Sequence, residues 1–526
     1  DNLCLILCYM RKDLNEFYKR KEFLKDENRS ESVKKRHNNG SRTARENIMD
    51  LCDKNSFNEL GSLITAAQTK RFSKEELIKK TPADGLVAGI GNINGKIFRE
   101  EISKCCVMSY DYMVLAGTQG GFNHKKTDRL ISIAKKGNLP IIFFVEGGGG
   151  RPGDVDFDAI NSGGLDLPTW SEYAKLSGKV PRISIVSGNC FAGNAAIAGC
   201  SDVIIATKNS SIGMAGPAMI KEGGLGDFKA SEIGPSKIQY ENGVIDILVE
   251  NEKDAVEKAK QYLSYFQGNN PKWKVGDQNK LHNLIPEDRK YAYDVTKILD
   301  LIFDQNSVLE LRGGFAKNMI TSLARIEGKP VGIIANSTKH LGGAIDSDAS
   351  EKASRFMQLC DAFNLPLISF CDTPGFMVGP THEKLGLVRK TSRFFINGAN
   401  LNIPIITIIL RKAYGLGAMA MAGGSFHQSY MTLSWQTGEF GPMGLEASVE
   451  LGFKKELEST KTKKERDKLY NKLVKEAYNR GKAINAASTM EIDEVIDPKE
   501  TRNWISNGLN SHSNGKENNS NFIDSW

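Results

Sequence analysis

The chain has 526 residues, 40% of them hydrophobic and 25% charged; at about 150 residues per domain this suits three to four domains, or two large ones, and excludes a single small module. Seventy Lys and Arg oppose 63 Asp and Glu, a net charge of +7, and there are 51 Gly and 16 Pro, which excludes wholesale disorder and collagen-like repetition and permits an anionic ligand without demanding one. No apolar run reaches the roughly 18–20 residues that span a bilayer as a helix, so no membrane partner is expected.

Residues 2–10 are apolar but follow Asp1 directly, with no basic stretch before them and no small-residue cleavage site after them. They read as the cut end of a longer product and not as a signal peptide. Residues 11–45 are dense in Lys, Arg, Glu and Asn, so residues 1–40 are expected to form a charged arm, helical or flexible, outside any core and away from catalysis. A first domain follows over 41–268, then a polar linker over 269–290, a second domain over 291–504, and a flexible Ser-, Asn- and Gly-rich tail over 505–526.

The two domains read as copies of one another. Leu139-Pro140-Ile-Ile-Phe-Phe-Val matches Leu365-Pro366-Leu-Ile-Ser-Phe-Cys at an offset of 226, and Val180-Pro181-Arg-Ile-Ser-Ile-Val matches Ile403-Pro404-Ile-Ile-Thr-Ile-Ile at 223. Gln119-Gly120-Gly121, with Lys125, Lys126 and Arg129 after it, is matched to Leu341-Gly342-Gly343, with Lys352 and Arg355 after it, at 222. In each copy apolar strand runs alternate with helix-like stretches, which is an α/β pattern. The runs over 141–145, 183–186, 367–371 and 405–410 are continuously apolar, as expected of parallel or mixed strands covered on both faces.

These strands end in glycine. Val145 leads into Glu146-Gly147-Gly148-Gly149-Gly150-Arg151-Pro152-Gly153, and Val186 into Ser187-Gly188-Asn189-Cys190-Phe191-Ala192-Gly193-Asn194. Neither turn has the Gly-Lys-Ser/Thr ending of a phosphate loop or the spacing of a dinucleotide fingerprint. The glycines are expected to expose N–H groups. The small-residue stretch over 192–199 should open a buried helix whose N-terminal N–H groups point beyond the strand end, and Arg411-Lys412-Ala413-Tyr414-Gly415-Leu416-Gly417-Ala418 takes the same place in the second copy. Paired N–H donors of this kind form an oxyanion hole, suited to an enolate or a polarised carbonyl. Nine cysteines without a CxxC pair suggest buried thiols in a reducing compartment and no zinc cage, hence no metal in this chain.

The runs over 111–120 (Asp-Tyr-Met-Val-Leu-Ala-Gly-Thr-Gln-Gly) and 211–217 (Ser-Ile-Gly-Met-Ala-Gly-Pro), with Asp372-Thr373-Pro374-Gly375-Phe376 and Arg411-Lys412-Ala413-Tyr414-Gly415, resemble the carboxyltransferase (β) subunit of biotin-dependent acyl-CoA carboxylases. Arg42-Thr43-Ala44-Arg45-Glu46-Asn47-Ile48 resembles the start of that domain and residues 491–498 its end, so the likeness covers about 42–504. It implies an α/β fold, a tandem duplication of a crotonase-like (ClpP/crotonase) ββα-spiral domain. The first copy would hold acyl-CoA and the second biotin, with the active site between copies of opposing subunits. By motif match, Gly193 and Asn194 would donate N–H groups to the thioester enolate, and Gly417 and Ala418 to the biotin ureido oxygen. Gly148, Gly149, Gly150, Arg151, Gly216, Gly375, Phe376, Tyr414 and Gly415 would contact the two ligands. Two departures stand out: Asn194 replaces a usual glycine, and Leu416 reads as an insertion within the second glycine pair, which leaves open a slip of one residue in the donors.

The implied reaction moves CO2 from N1-carboxybiotin to the α-carbon, or vinylogous carbon, of an acyl-CoA. No side-chain base is needed, since the ureido N1 takes the α-proton once CO2 has left. Accordingly His124, His340, His382 and His427 read as structural, Tyr414 as packing, and Arg151 and Lys125 as candidates for the CoA phosphates or a solvated basic face. The chain shows neither an ATP-binding loop nor an Ala-Met-Lys-Met biotinylation site. Biotin would therefore arrive on a partner, with a biotin carboxylase and a biotin carboxyl carrier protein as partners or fused upstream. The resemblance also implies a homo-oligomer built on a dimer, with a hexamer as the larger form, in the cytoplasm or, in a eukaryote, the mitochondrial matrix. An acyl-CoA decarboxylase of the same family is the alternative. A basic scaffold or nucleic-acid binder, motivated by residues 11–45 and 454–482, is the distant one, because residues 451–482 alternate Lys, Arg and Glu with Leu, Tyr and Val in the pattern of a solvated amphipathic helix.

Overall fold

The computed structural model describes residues 11–157, 163–512 and 522–526. The chain divides into two compact units after Gln267. The first contains β1 Asn58–Glu59, β2 Leu86–Asn92, β3 Lys104–Tyr110, β4 Ile141–Phe144, β5 Arg182–Val186, β6 Asn189–Phe191, β7 Val203–Thr207, β8 Ser211–Gly213 and β9 Ile247–Val249. Seven of these form one sheet in the order β1-β2-β3-β4-β5-β7-β9, while β6 and β8 pair separately. The first three strands are antiparallel and the rest parallel.

The second unit repeats this plan with β10 Leu309–Leu311, β11 Met319–Ile326, β12 Lys329–Asn336, β13 Leu367–Thr373, β14 Ile405–Tyr414, β15 Met431–Trp435, β16 Glu439–Gly441 and β17 Glu494–Ile496. The order is β10-β11-β12-β13-β14-β15-β17, again antiparallel for the first three strands and parallel afterwards. In this copy β14 runs on far enough to pair also with β16. Every residue of β4, β5 and β13 is buried, as continuously apolar strands covered on both faces should be.

Local chemistry sets the helix boundaries. Thr43-Ala44-Arg45-Glu46 forms a capping box: the Thr43 hydroxyl accepts from the Glu46 N–H and the Glu46 carboxylate accepts from the Thr43 N–H, starting helix Ala44–Leu51. Helix Gly121–Gly137 stops at Asn138, which takes a left-handed conformation with φ of 51°. Its counterpart Ser347–Ala362 is buried along nearly its whole length. The matched lysines and arginines of these two helices, Lys126 with Lys352 and Arg129 with Arg355, share the offset of 226 seen at Pro140 and Pro366. The left-handed turns ahead of them, at Leu115-Ala116-Gly117 and Leu341-Gly342-Gly343, share it too. The true partner of Leu341 is therefore Leu115, and the 222 register read from Gln119 is corrected.

The terminal segments are more ordered than their composition suggested. Residues 11–40 contain helices Lys12–Glu22 and Ser30–Asn38; Leu24 between them is buried, and Arg29 and Arg36 reach into the first unit. The stretch read as a linker belongs to the second unit, where Leu281 and Ile285 join the core around Ile298, Phe303 and Phe370. Helix Thr501–Ser511 runs through the start of the expected tail. At the far end Ile523 is buried, and Asp524 accepts from Arg393 Nη2 at 2.6 and 2.7 Å. The seven cysteines among the described residues are free thiols, six of them buried. No helix among the described residues is long and apolar enough to cross a membrane.

Candidate active site

In the first unit three loops meet beyond the ends of β3, β4 and β5. Helix Gly193–Gly199 starts there, and the residue before it, Ala192, holds φ at 51°, where a side chain is disfavoured. Such strain at a strand-to-helix turn marks a conformation the surroundings enforce. The N–H of Ala196 reaches the Ala192 carbonyl at 2.9 Å and that of Ala192 reaches Gly213 O at 3.1 Å. The N–H groups of Gly193, Asn194 and Ala195 thus form the first helical turn, where no carbonyl within the helix can accept from them. Trp170 Nε1 donates to Gly193 O at 3.2 Å, and Gln119 packs against the Cα of Gly193.

Asn194 is fully buried and ties the loops together. Its Oδ1 accepts from the Gly149 N–H at 3.0 Å, and its Nδ2 donates to Gly117 O at 3.3 Å. The four-glycine run is built for this close approach. Gly147 N–H goes to Asn189 O at 2.7 Å and Gly148 N–H to Ala116 O at 3.2 Å; Gly149 has φ of +90°, and a Cβ there would sit 2.7 Å from that of Ala192. The expectation that these glycines expose N–H groups is corrected for Gly147, Gly148 and Gly149, whose donors are spent inside the protein. Gly150 has open space around its Cα.

Arg151 is corrected as well. Its side chain is 4% exposed, with Nη1 2.5 Å from Asp84 Oδ1 and Nη2 donating to Thr118 O at 2.8 Å, so its guanidinium is committed to the loop and does not face a CoA phosphate. Burial pushes the Asp84 carboxyl up to about 6 in spite of that partner. Lys125 is exposed and lies 5.5 Å from the rings of both Phe122 and Phe157. Gly216 caps helix Pro217–Glu222, and its Cα faces the Phe191 ring. His124 is buried, which pushes it down to about 4. Thr169 donates its hydroxyl proton to Asp128 at 2.5 Å, leaving Thr169 Oγ1 to accept from His124 Nδ1–H at 2.9 Å. His124 is thus a neutral packing residue beside Trp170, two contacts away from the turn.

The second unit repeats the turn with different means. Helix Gly415–Met421 begins after Tyr414, and Gly415 has φ of +56°, matching Ala192. Leu416 therefore stands where Gly193 does, Gly417 where Asn194 does, and Leu416 is no insertion. Ala418 then stands where Ala195 does, and the N–H groups of Leu416, Gly417 and Ala418 form the first turn, as those of Gly193, Asn194 and Ala195 do in the first copy. A Cβ on Gly417 would lie 2.7 Å from Gly375 Cα and 3.1 Å from Phe376 N. Direct backbone packing here replaces the Asn194 side chain of the first copy. Gly375 N–H donates to Thr373 Oγ1 at 3.1 Å, and the ring of Phe376 lies 6.0 Å from that of Phe395. Tyr414 donates its hydroxyl to Glu439 Oε2 at 2.9 Å; burial and that carboxylate drive its pKa upward, which holds the proton in place. A cavity of about 570 Å³ opens beside the turn, lined by Gly415, Met419, Phe440, Pro442 and Arg480 among others. Among the described residues no group of three or more His, Cys, Asp or Glu side chains is placed to hold a metal.

Sequence reasoning brought Gly193, Asn194, Gly417 and the glycine run to their places, and missed Gln119, Trp170 and Glu146. Those residues act across 23 to 110 positions of chain, and the one local signal was Gln119 within the 111–120 motif.

The chain matches the carboxyl transferase domain family over residues 35–522. It is 31% identical, over 93% of its length and 92% of the relative's, to the biotin-dependent long chain acyl-coenzyme A carboxylase β4 subunit of Mycobacterium tuberculosis. Among solved structures it resembles a single-chain, multi-domain long-chain acyl-CoA carboxylase, with 52% identity and a TM-score of 0.90 over 95% of this chain; it spans about half, 49%, of that longer chain. It also resembles the hexameric transcarboxylase 12S solved with methylmalonyl-CoA bound, with 30% identity and a TM-score of 0.81 over 94% of each chain. These neighbours have a crotonase-like fold, and the duplicated α/β sheets described above are the architecture the sequence led us to expect. Two matching sheets, two matching left-handed turns and a family match over 35–522 lead to one conclusion: the chain belongs to the carboxyl transferase domain family, that of the β subunits of biotin-dependent acyl-CoA carboxylases.

Proposed function

We propose that this chain transfers the carboxyl group of N1-carboxybiotin to a long-chain acyl-CoA, the first unit receiving the thioester and the second receiving biotin. The observation that carries this reading is the turn made twice, with free N–H groups at Gly193 and Asn194 in one copy and at Leu416 and Gly417 in the other. A thioester carbonyl gains negative charge as its α-carbon loses a proton, and two N–H donors held by a rigid turn stabilise that charge with little reorganisation. The donors in the second copy suit the ureido oxygen of biotin in the same way, and the adjoining 570 Å³ cavity has room for a bicyclic ring. Carboxybiotin, when presented, supplies both the carboxyl group and, at its freed N1, a proton acceptor. This chain's residues bind, orient and neutralise charge. Tyr414 and His124 hold no proton for transfer, since each is committed to a neighbour.

The long-chain assignment rests on the 52% identity to the long-chain carboxylase against 30% to the transcarboxylase. Its partners in this reading are a biotin carboxylase and a biotin carboxyl carrier protein, and its own assembly is a dimer-based oligomer, up to a hexamer. A reducing compartment, cytoplasm or mitochondrial matrix, suits its free thiols. The test is a panel of acyl-CoAs of increasing chain length assayed with purified carboxylase and carrier. The expected result is a kcat/KM that rises toward long chains. A preference for propionyl-CoA would overturn the substrate class, and decarboxylation of malonyl-type thioesters with no carboxylation would favour the decarboxylase alternative.

A further inference from the structure

The strand pairing sets up a comparison between the copies. Phe144 pairs with Ile185 in the first sheet and Phe370 with Ile408 in the second, so Glu146 matches Asp372 and Gly188 matches Arg411. Each carboxylate residue sits at the mouth of its glycine turn. A Cβ on Gly117 would meet Glu146 O at 2.5 Å, and one on Gly343 would strike Asp372 O, so the two main chains follow the same path.

Both carboxylates are buried and need a cation, because an uncompensated buried charge is costly. The second copy supplies it from its own strand: Arg411 Nε lies 3.1 Å and Lys412 Nζ 2.9 Å from Asp372, and Tyr293 donates its hydroxyl at 2.8 Å. In the first copy the matching strand residue is Gly188, with no side chain, and the Glu146 carboxylate packs directly against its Cα. The cation comes instead from the N-terminal arm. Arg36, on helix Ser30–Asn38, forks onto Glu146, with Nη1 donating to Oε1 at 2.9 Å and Nη2 to Oε2. Its Nε donates to Arg42 O at 2.9 Å, and its guanidinium lies 5.3 Å from the Tyr112 ring. Arg29 makes a parallel contact at the start of the neighbouring loop, with Nη1 2.6 Å from Asp111. The two loops that begin at Asp111 and Glu146 are the ones Asn194 joins, through Gly117 O and the Gly149 N–H.

We propose that the N-terminal helical arm is a clamp on the first oxyanion turn, with Arg36 and Arg29 as positioning residues standing in for the cation that Arg411 provides within the second copy. The clamp rests on the reading of this turn as the thioester site. Arg36 touches no substrate in this account; it fixes the backbone from which Gly147 to Gly150 and their partner Asn194 are hung. A displacement of about 1 Å at such a site is enough to cost on the order of 10²-fold in rate.

The test compares full-length Arg36→Gln, Arg36→Lys, Glu146→Gln and the double Arg36→Gln/Glu146→Gln with Arg45→Gln. The last breaks an ion pair with Glu59 at 3.1 Å that lies apart from the turn. Acyl-CoA carboxylation is expected to lose about 10- to 100-fold in kcat in Arg36→Gln with KM changed less than about threefold, partial recovery in Arg36→Lys, no further loss in the double variant, and no change in Arg45→Gln. Hydrogen exchange over residues 147–151 supplies a readout independent of activity, expected to be at least about tenfold faster in Arg36→Gln and unchanged in Arg45→Gln. If Arg36→Gln lowers the melting temperature but leaves both kcat and exchange of 147–151 at the native values, or if the double variant's loss is the product of the single ones, the clamp is refuted. If the native protein carboxylates no acyl-CoA, the proposed activity fails, and exchange alone decides the clamp.

Discussion

Replacing Gly417 with Val is the perturbation that most sharply separates the roles of the two copies. The new Cβ would sit 2.7 Å from Gly375 Cα, 2.8 Å from Gly375 C and 3.1 Å from Phe376 N, all of them backbone atoms that cannot swing aside. Overpacking of a rigid site costs about 1–3 kcal/mol, and three backbone clashes place this case at the upper end. The gain in helix propensity over glycine returns only a few tenths of a kcal/mol. A net loss of about 2–3 kcal/mol lowers the melting temperature of a unit this size by roughly 4–12 °C. Because the displaced atoms include Gly417's own N–H, carboxyl transfer from a malonyl-type thioester to free biotin should fall by the amount lost with one oxyanion donor, about 10²- to 10³-fold. Binding of acyl-CoA, assigned to the other copy, should stay within about twofold. The assay is calorimetric titration with an acyl-CoA, turnover with free biotin well below the melting temperature, and a thermal scan, with Gly444→Val as a control because no atom lies within 4 Å of a Cβ there. A Gly417→Val protein that is fully active would refute the donor role. One that loses CoA binding and keeps biotin turnover would invert the assignment of the two copies.

Asn194→Ala leaves the Gly149 N–H and Gly117 O buried without partners, so urea unfolding should show a loss of about 2–4 kcal/mol together with a fall in kcat; an unchanged midpoint would show that the loops hold without it. Arg151→Met strands Asp84 and should cost about 3–5 kcal/mol in the same measurement, yet leave the salt dependence of the acyl-CoA KM as in the native protein; a flattened salt dependence would return Arg151 to the phosphates. His124 has its folded pKa depressed to about 4 from 6.5, so the unfolded chain binds a proton over that window and stability is lost as pH falls through it. That amounts to about 2 kcal/mol between pH 7 and pH 5. His124→Gln should reduce the pH dependence by that amount in paired denaturation curves, and an unaltered slope would place the titrating group elsewhere.

The parts of this fold that are legible in sequence are those encoded locally. Continuous apolar runs such as those over 141–145 and 405–410 announce buried strands, the Thr43-Ala44-Arg45-Glu46 box announces a helix start, and two copies at nearly fixed offset announce the duplication. What sequence hid depends on partners distant along the chain. Arg36 has the composition of a solvated arm but meets Glu146, 110 residues on. Arg151 has the look of a phosphate ligand but finds Asp84, 67 residues back. The slip at Leu416 was hidden for another reason: a side chain in one copy, Asn194, does what backbone contact does in the other at Gly417, so residue identities misalign while the main chain keeps its path.

The central claim is carboxyl transfer to the carbon next to the thioester. It is tested most directly by incubating the protein with biotin carboxylase, biotin carrier, ATP, 13C-bicarbonate and a long-chain acyl-CoA, and reading the product by NMR. The account predicts a 13C carboxylate bonded to the α-carbon, or to its vinylogous carbon in an unsaturated chain, formed only when the carrier is biotinylated. Label confined to bicarbonate and the carrier's carboxybiotin in the complete mixture, with none on the acyl chain, would contradict it.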